Sequence, residues 1–481
     1  MGERLWKEEC GVAAVLCRDR VTPAAPLAHL ALYALQHRGQ ESAGIAASDG
    51  WRLRVHRDQG LVAQVFTPRT LRALDGWLAV GHVRYATMGS ATLANAQPIV
   101  VPSPWGPLAV AHNGNLINAP ALRCVLEGAG CVFASSTDTE VIAHLIARAP
   151  AATVLEAIRY AMQHLEGAFT VALLAGETIV GFRDRHGIRP LVLGGGPGFW
   201  MLASETCAFD HTGGEPLGEV DPGELVVCTA DGARFLPVLE VPRRAHCVFE
   251  YIYFARPDTA LFGRNVHRVR RRMGRVLARE HPAAADLVVP VPDSGSSAAM
   301  GYAEEAGLPL EIGLIKNRYI GRTFIESSPS VRQAGVQIKL NAVREVVRGR
   351  RVVLVDDSIV RGTTSARIVA LLRRAGANQV HVRVSSPPIR FPCFYGIDTS
   401  SRGQLIAAAL SVEEIRARLG ADSLGYLSQA GLVEALELPA QVLCMACLDG
   451  QYPTRVPTEE EAGRAALERG ALRRRAPAVT S

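Results

Sequence analysis

The sequence predicts a two-domain α/β protein, with layered sheets and intervening helices in the first half and a parallel sheet flanked by helices in the second. Length is the first observation: 481 residues exceed what one hydrophobic core usually supports. The second is the texture of residues 10 to 240. Short apolar runs there, such as GVAAVL, LAVAHNGNL, TVALLAG and GELVVC, are separated by turn residues and by helical stretches such as TEVIAHLIARA and TVLEAIRYAMQHL. The third is the texture of residues 241 to 455. LVVPVP, RVVLVDD and QVHVRVS are β-branched and almost continuously apolar, as strands buried on both faces are. The change of texture sets a domain boundary near residues 236 to 246, and residues 456 to 481 lack periodicity, which predicts a partly disordered tail.

A formal charge of +6 is small for this length, so charge does not favour nucleic-acid binding. The basic run HRVRRRMGRVLAR, residues 267 to 279, carries Val269, Met273 and Val276 at helical spacing and reads as an amphipathic helix with a solvated face. About 18 consecutive apolar residues would be needed to cross a bilayer, and neither such a run nor a signal-peptide core is found. A cytoplasmic protein with no membrane partner is expected. Ten cysteines are too sparse for a disulfide framework, so thiol chemistry or metal binding is the better reading.

Cys10 stands just ahead of an apolar strand in EECGVAAVL, with Gly11 after it permitting close backbone approach. Alone, such a cysteine reads as a buried structural thiol. Five polar signatures follow it at strand ends: LQHRGQESAGIA, GHVRYATMG, AHNGNL, SSTDTEV and RDRHGIRPL. Together they resemble the class II glutamine amidotransferases. The resemblance implies a four-layer αββα fold of the N-terminal-nucleophile hydrolase type, in which Cys10 becomes the nucleophile once residues 1 to 9 are removed. Chemistry explains the requirement, because a thiolate attacks and a free α-amine, titrating near neutrality, can act as its general base. By the same resemblance, the Asn113 side chain and the Gly114 N–H form an oxyanion hole. Arg84 would pair with the glutamine α-carboxylate, Thr87 would join the substrate contacts, and Asp138 would hold the α-amino group.

In RVVLVDDSIVRGTTSARIVALLRRAG an apolar strand ends in Asp356 and Asp357, a loop carries Gly362, Thr363, Thr364 and Ser365, and an apolar-periodic helix follows. Helix N-termini with small hydroxylated residues bind phosphate through unpaired N–H groups and the helix dipole. Carboxylates at the carboxyl end of a parallel strand can meet ribose hydroxyls and magnesium. The segment resembles the diphosphoribosyl motif of type I phosphoribosyltransferases, and the resemblance adds Arg361 to the substrate contacts. In VPVPDSGSSAAMGYA, Asp293 and Ser294 would lie beside pyrophosphate and magnesium, making Ser294, Asp356 and Asp357 the magnesium set. KNRYIGRTFI, with Lys316 and Arg322, looks like the family's catalytic loop, and Lys339 of GVQIKLN fits the same picture. The family often has a proline directly after the loop glutamate, whereas this chain reads Glu326, Ser327, Ser328, Pro329.

Cys444 and Cys447 have C-x-x-C spacing in LCMACLDG, and Cys247 and Cys393 lie in HCVFEYIYFARPD and PPIRFPCFYGIDTS. Spacing alone leaves zinc, a redox disulfide and an iron-sulfur centre open. Their contexts resemble the iron-sulfur branch of the amidophosphoribosyltransferases, which implies one [4Fe-4S] cluster per subunit on these four. Cys17, Cys124, Cys131, Cys207 and Cys228 are expected to be buried or partly buried thiols.

The resemblance runs over residues 10 to 455. It implies glutamine and phosphoribosyl pyrophosphate as substrates, magnesium and the cluster as cofactors, purine nucleotides as inhibitors, and a homo-oligomer, a tetramer being the expected form. A glucosamine-phosphate synthase type of amidotransferase would share the first half without VDDSIVRGTTS, and a ligand-sensing regulator would carry a DNA-binding module that is not seen here. An iron-sulfur redox sensor with vestigial domains would not need intact Cys10, Asn113 and Asp138.

Overall fold

The computed structural model describes residues 10–85, 92–317, 340–397 and 402–456. In the first lobe two antiparallel sheets lie face to face. One runs in the spatial order Glu215–Glu219, Val192–Gly196, Phe199–Ala203, Gly11–Cys17, Leu78–Arg84, Ser42–Ser48, Leu53–Gln59. The other runs Gly232–Pro237, Glu224–Thr229, Thr178–Arg183, Gly167–Ala175, Leu108–Leu116, Ile99–Val101.

Strand alternation assigns the faces. Ala109 and Ala111 of Leu108–Leu116 join Val12, Ala14 and Leu16 in the core between the sheets. Leu108 and Val110, one residue out of step, pack outward with Val141, Ile142, Ala157 and Ile158. The latter belong to helices Asp138–Ala147 and Val154–His164. Helix Ala25–Ala34 covers the other sheet through Ala28, Ala31 and Leu32. The result is the expected helix–sheet–sheet–helix stack, and it explains why these strands are apolar along both faces.

The second lobe is built on a parallel sheet ordered Leu287–Pro290, Arg351–Asp356, Gln379–Val384, Ser423–Tyr426. Val288, Val353 and Val355 face helices Val266–Glu280 and Ser296–Ala306, while Leu287, Val289, Val352 and Leu354 face Thr363–Arg374 and Val412–Leu419. LVVPVP and RVVLVDD are therefore strands buried on both faces, as their composition predicts, whereas QVHVRVS alternates, with Val380, Val382 and Val384 buried, Gln379 exposed and His381 half-buried. Helices Val266–Glu280 and Ser296–Ala306 cross at Gly274 and Gly301. A methyl group on Gly274 would lie 1.8 Å from the Ala298 carbonyl oxygen, and one on Gly301 would lie 1.9 Å from that of Arg271. Only glycine lets the two backbones approach so closely, and the contact fixes the start of the second helix next to Asp293 and Ser294.

Two expectations need correction. The basic run does form a helix with Val269, Met273 and Val276 buried, but its arginines are not simply solvated. Arg270 is buried and donates to the Tyr251 (2.7 Å) and Ala255 (2.9 Å) carbonyls. Arg275 and Arg279 bind Glu304 and Glu434 at the surface. Four residues after Val266, Arg270 falls on the apolar side of the helix, and a hydropathy pattern cannot foresee that backbone carbonyls would satisfy it there. Cys124 is exposed rather than buried, because its helix, Ala119–Gly128, buries only Ala119 and Leu126. Among the described residues no helix is long and apolar enough to cross a membrane.

Candidate functional site

Cys10 immediately precedes the central strand Gly11–Cys17 and is 7% exposed. Its thiol lies 3.5 Å from the Tyr85 carbonyl oxygen, and its own carbonyl accepts from Arg38 Nε at 3.1 Å. Burial pushes the thiol up to about 11 against the opposing pull of the Tyr85 hydrogen bond and the Arg84 charge, while Asp138 and Glu41 add to the rise. Burial thus disfavours the thiolate, and a base that takes the proton would favour attack.

The same interactions show that Arg84 and Asp138 share the electrostatic neighbourhood of Cys10. Arg84 ends strand Leu78–Arg84, is buried, and has Glu41 at 3.5 Å. Asp138 opens helix Asp138–Ala147, accepts from the Leu116 N–H at 3.0 Å, and has His112 Nδ1 at 3.5 Å. Burial alone would raise its carboxyl, but the His112 charge and the hydrogen bonds from His112 and Leu116 hold it below the usual range. Asn113 and Gly114 lie on strand Leu108–Leu116. Asn113 is 1% exposed, and its Nδ2 finds no hydrogen-bond partner among the described residues. Gly114 has φ +145°, and a side chain there would strike the Ala168 carbonyl oxygen at 2.1 Å. Thr87 lies outside the described residues.

Behind Cys10 is a buried charge network that no local sequence pattern announces. Arg38 donates to Glu205 Oε1 (2.6 Å) and, through two nitrogens, to Glu250 (2.9 and 2.8 Å), with all three side chains fully buried. Burial would raise the Glu205 carboxyl, but His37 and Arg38 hold it well below the usual carboxylate range. Arg38 belongs to the LQHRGQESAGIA signature, whereas its partners are 167 and 212 residues away.

In the second lobe, Asp356 ends strand Arg351–Asp356 and Asp357 follows it, both buried. Burial first, and for Asp356 the charge of Asp357 next, raises both carboxyls above the ordinary range, even though Ser294 and Ser358 donate to Asp357 and Arg270 attracts it. An adjacent buried pair of this kind favours a cation or hydroxyl donors in front of it. Helix Thr363–Arg374 starts after Gly362, at φ +76°, and no side chain caps it, so neither aspartate serves as the helix cap. The first N–H groups of the helix are left to meet a ligand. Thr363 and Thr364 are half-buried and Ser365 is buried, while Arg361 contacts Gln404. The peptide between Pro292 and Asp293 is cis, and Lys316 Nζ meets Asp293 at 2.9 Å. The structure thus gathers Asp293, Ser294, Lys316, Asp356 and Asp357 at one end of the parallel sheet. Arg322, Lys339 and the Glu326–Pro329 stretch lie outside the described residues.

Four thiols form a third group. Cys247 stands opposite Cys444 in the short parallel ladder of His246–Cys247 with Leu443–Cys444. The Cys447 carbonyl accepts from the Arg390 and Phe391 N–H groups at 3.0 and 3.1 Å, which brings in the segment carrying Cys393. Burial pushes Cys444 up to about 12, and burial together with Cys393, Cys247 and Cys444 raises Cys447 well above its ordinary value. The four are close enough to oppose one another's ionisation. Among the described residues, however, no three His, Cys, Asp or Glu side chains close around a single metal ion. A four-thiol donor set suits a structural zinc or an iron-sulfur centre.

Comparison with known proteins agrees with both lobes. Residues 82–211 match a glutamine amidotransferase domain and residues 266–386 a phosphoribosyl transferase domain. Amidophosphoribosyltransferases from Synechococcus elongatus, Bacillus subtilis and Archaeoglobus fulgidus are 47%, 48% and 49% identical, over 96%, 93% and 94% of this chain and 94%, 95% and 99% of theirs. The solved B. subtilis glutamine phosphoribosylpyrophosphate amidotransferase, complexed with ADP and GMP, superposes with a TM-score of 0.88 at 47% identity. The match covers 94% of this chain and 98% of that one.

Proposed function

This chain belongs to the amidophosphoribosyltransferase family, and on that premise we propose how its own residues carry out the family's reaction. Glutamine, phosphoribosyl pyrophosphate and water become 5-phosphoribosylamine, glutamate and pyrophosphate, the first step of purine synthesis. We assign residues 10–240 to glutamine hydrolysis, residues 241–455 to phosphoribosyl transfer, and residues 1–9 to a leader removed before the enzyme acts.

In the first site Arg84 and Thr87 hold the glutamine α-carboxylate end and Asp138 its α-amino group. The freed α-amine of Cys10 takes the thiol proton as sulfur adds to the side-chain amide carbon. Asn113 Nδ2 and the Gly114 N–H receive the developing oxyanion. The proton passes to the departing nitrogen, ammonia leaves, and water cleaves the resulting thioester to glutamate. One observation carries this half of the reading: a buried Cys10 shares its lobe with an amide donor on Asn113 that has no partner among the described residues.

Ammonia then moves internally to the second lobe, because in neutral bulk water it would mostly become ammonium, which has no lone pair to attack with. There the start of helix Thr363–Arg374, with Arg361, Gly362, Thr363, Thr364 and Ser365, cradles the 5-phosphate. Asp356 and Asp357 hold the ribose hydroxyls, while Asp293, Lys316, Arg322 and Lys339 serve the pyrophosphate. Ammonia nitrogen bonds to C1 as the C1–oxygen bond to pyrophosphate breaks. Ser294, Asp356 and Asp357 would hold magnesium, which keeps several waters and so does not require a full protein cage. When bound, it neutralises charge on the leaving pyrophosphate.

Cys247, Cys393, Cys444 and Cys447 would hold a [4Fe-4S] cluster that ties the C-terminal segment to the transferase lobe. The purine nucleotides named for the B. subtilis enzyme suggest inhibition of this chain by the same class, in a homo-oligomer, with a tetramer expected. Intact mass and iron content test the maturation and cluster assignments together. The expected result is a brown protein whose chain starts at Cys10 and which carries about four irons. A fully active preparation that is colourless would remove the cluster, and one that still begins at Met1 would remove the terminal-amine base.

A further inference from the structure

The glutaminase lobe does not complete its own site: residues of the transferase lobe brace it from behind. Glu250, three residues beyond Cys247, accepts from Arg38 through both carboxylate oxygens, and Arg38 in turn holds the Cys10 carbonyl. Glu250 also meets Arg189 at 3.4 Å, and Arg189 donates through Nε and a terminal nitrogen to the Tyr395 carbonyl, at 3.1 and 2.8 Å. One residue earlier, the Phe394 carbonyl accepts from Asn115 Nδ2 at 2.9 Å. One residue later, Gly396 lies against the backbone of Gly114. A single transferase segment, Phe394 to Gly396, thus touches both Gly114 and Asn115 of the oxyanion strand and the arginine that shares Glu250 with Arg38. The motif RDRHGIRPL supplies Arg189, and its Ile188 carbonyl also accepts from the Cys247 N–H at 3.3 Å.

Resting on the reading of Cys10 and the oxyanion strand given above, we propose that Glu250, Phe394 and Tyr395 are positioning residues for glutamine hydrolysis. Acting through Arg38, Asn115 and Arg189, they fix the Cys10 backbone and the oxyanion donors in their working geometry. Full burial removes the solvent screening that would let these charges drift. A displacement of about 1 Å at a reacting centre can cost about 100-fold in rate. The lobes are therefore coupled by direct contact as well as by the passage of ammonia, and the transferase lobe governs the first chemical step.

Glu250→Gln and Asn115→Ala test this in the full-length enzyme, assayed with glutamine and, separately, with ammonium chloride as nitrogen source. Glu250→Gln is expected to lower glutamine-dependent kcat about 100-fold and Asn115→Ala about 10-fold. KM for glutamine should stay within about threefold, because Arg84 and Asp138 are untouched, and ammonia-dependent synthesis should stay within about twofold. If Glu250→Gln fails to fold, the half-buried Asn115 substitution decides alone. The proposal is overturned if a folded variant keeps its glutamine-dependent kcat, or if both nitrogen sources lose activity in parallel with Tm, since that marks a merely structural role. A parent enzyme unable to use glutamine would instead sink the underlying assignment of Cys10.

Discussion

Cys10→Ala is expected to eliminate glutamine-dependent synthesis of phosphoribosylamine, by about four orders of magnitude or more, while ammonia-dependent synthesis stays within about twofold of the parent. The substitution removes one sulfur atom and its contact with the Tyr85 carbonyl, and leaves the Cys10 carbonyl available to Arg38. The other buried cysteines of the first lobe offer no ready substitute. Cys17 and Cys207 are buried, with thiols pushed up to about 11 in the first and higher in the second. Parallel assays with the two nitrogen sources check the result. Retained glutamine use would mean that the first lobe acts by another nucleophile.

Asp357→Asn is expected to lower synthesis from either nitrogen source by about 100-fold or more, since it removes a carboxylate to which the proposed function gives the ribose hydroxyls and magnesium. Asp356→Asn should act in the same direction. Stability should move the other way. Each folded-state pKa is raised, so the folded protein binds protons more readily than the unfolded chain, and without ligand these carboxylates erode stability as pH rises from the ordinary carboxylate range through the raised value. Near neutrality the uncharged asparagine variants should therefore melt at or above the parent temperature when magnesium and sugar diphosphate are absent. A variant that loses activity together with several degrees of Tm would show the pair to be structural.

How much of this was legible in the sequence depends on how local each signal is. Asp356, Asp357 and the Gly362–Ser365 loop were readable because strand, carboxylates, loop and helix are contiguous, and one short segment carries both the fold and its chemistry. Layering in the first lobe was readable from short apolar runs, although the sorting of Ala109 and Ala111 from Leu108 and Val110 emerges only with the second sheet in place. Cys10, Arg84, Asn113 and Asp138 needed the family resemblance, since each alone reads as a core thiol, an ion pair, a turn or a helix start. The braces at Glu205, Glu250 and Tyr395 were not legible at all. Arg38 lies 167 and 212 residues from Glu205 and Glu250, and Arg189 lies 206 from Tyr395, and a buried glutamate announces itself only when the arginine opposite is known. Arg270 was misread for the same reason: burial on an apolar helix face depends on carbonyls supplied by another segment.

The central claim is that ammonia made in one lobe is consumed in the other. Steady-state release of glutamate and pyrophosphate, followed in the same reaction with magnesium, tests it most directly. The account predicts one pyrophosphate for each glutamate, and a glutamate rate about tenfold or more lower when phosphoribosyl pyrophosphate is left out. Glutamate release indifferent to the sugar diphosphate, or pyrophosphate release that proceeds in glutamine at a rate unrelated to glutamate, would contradict it.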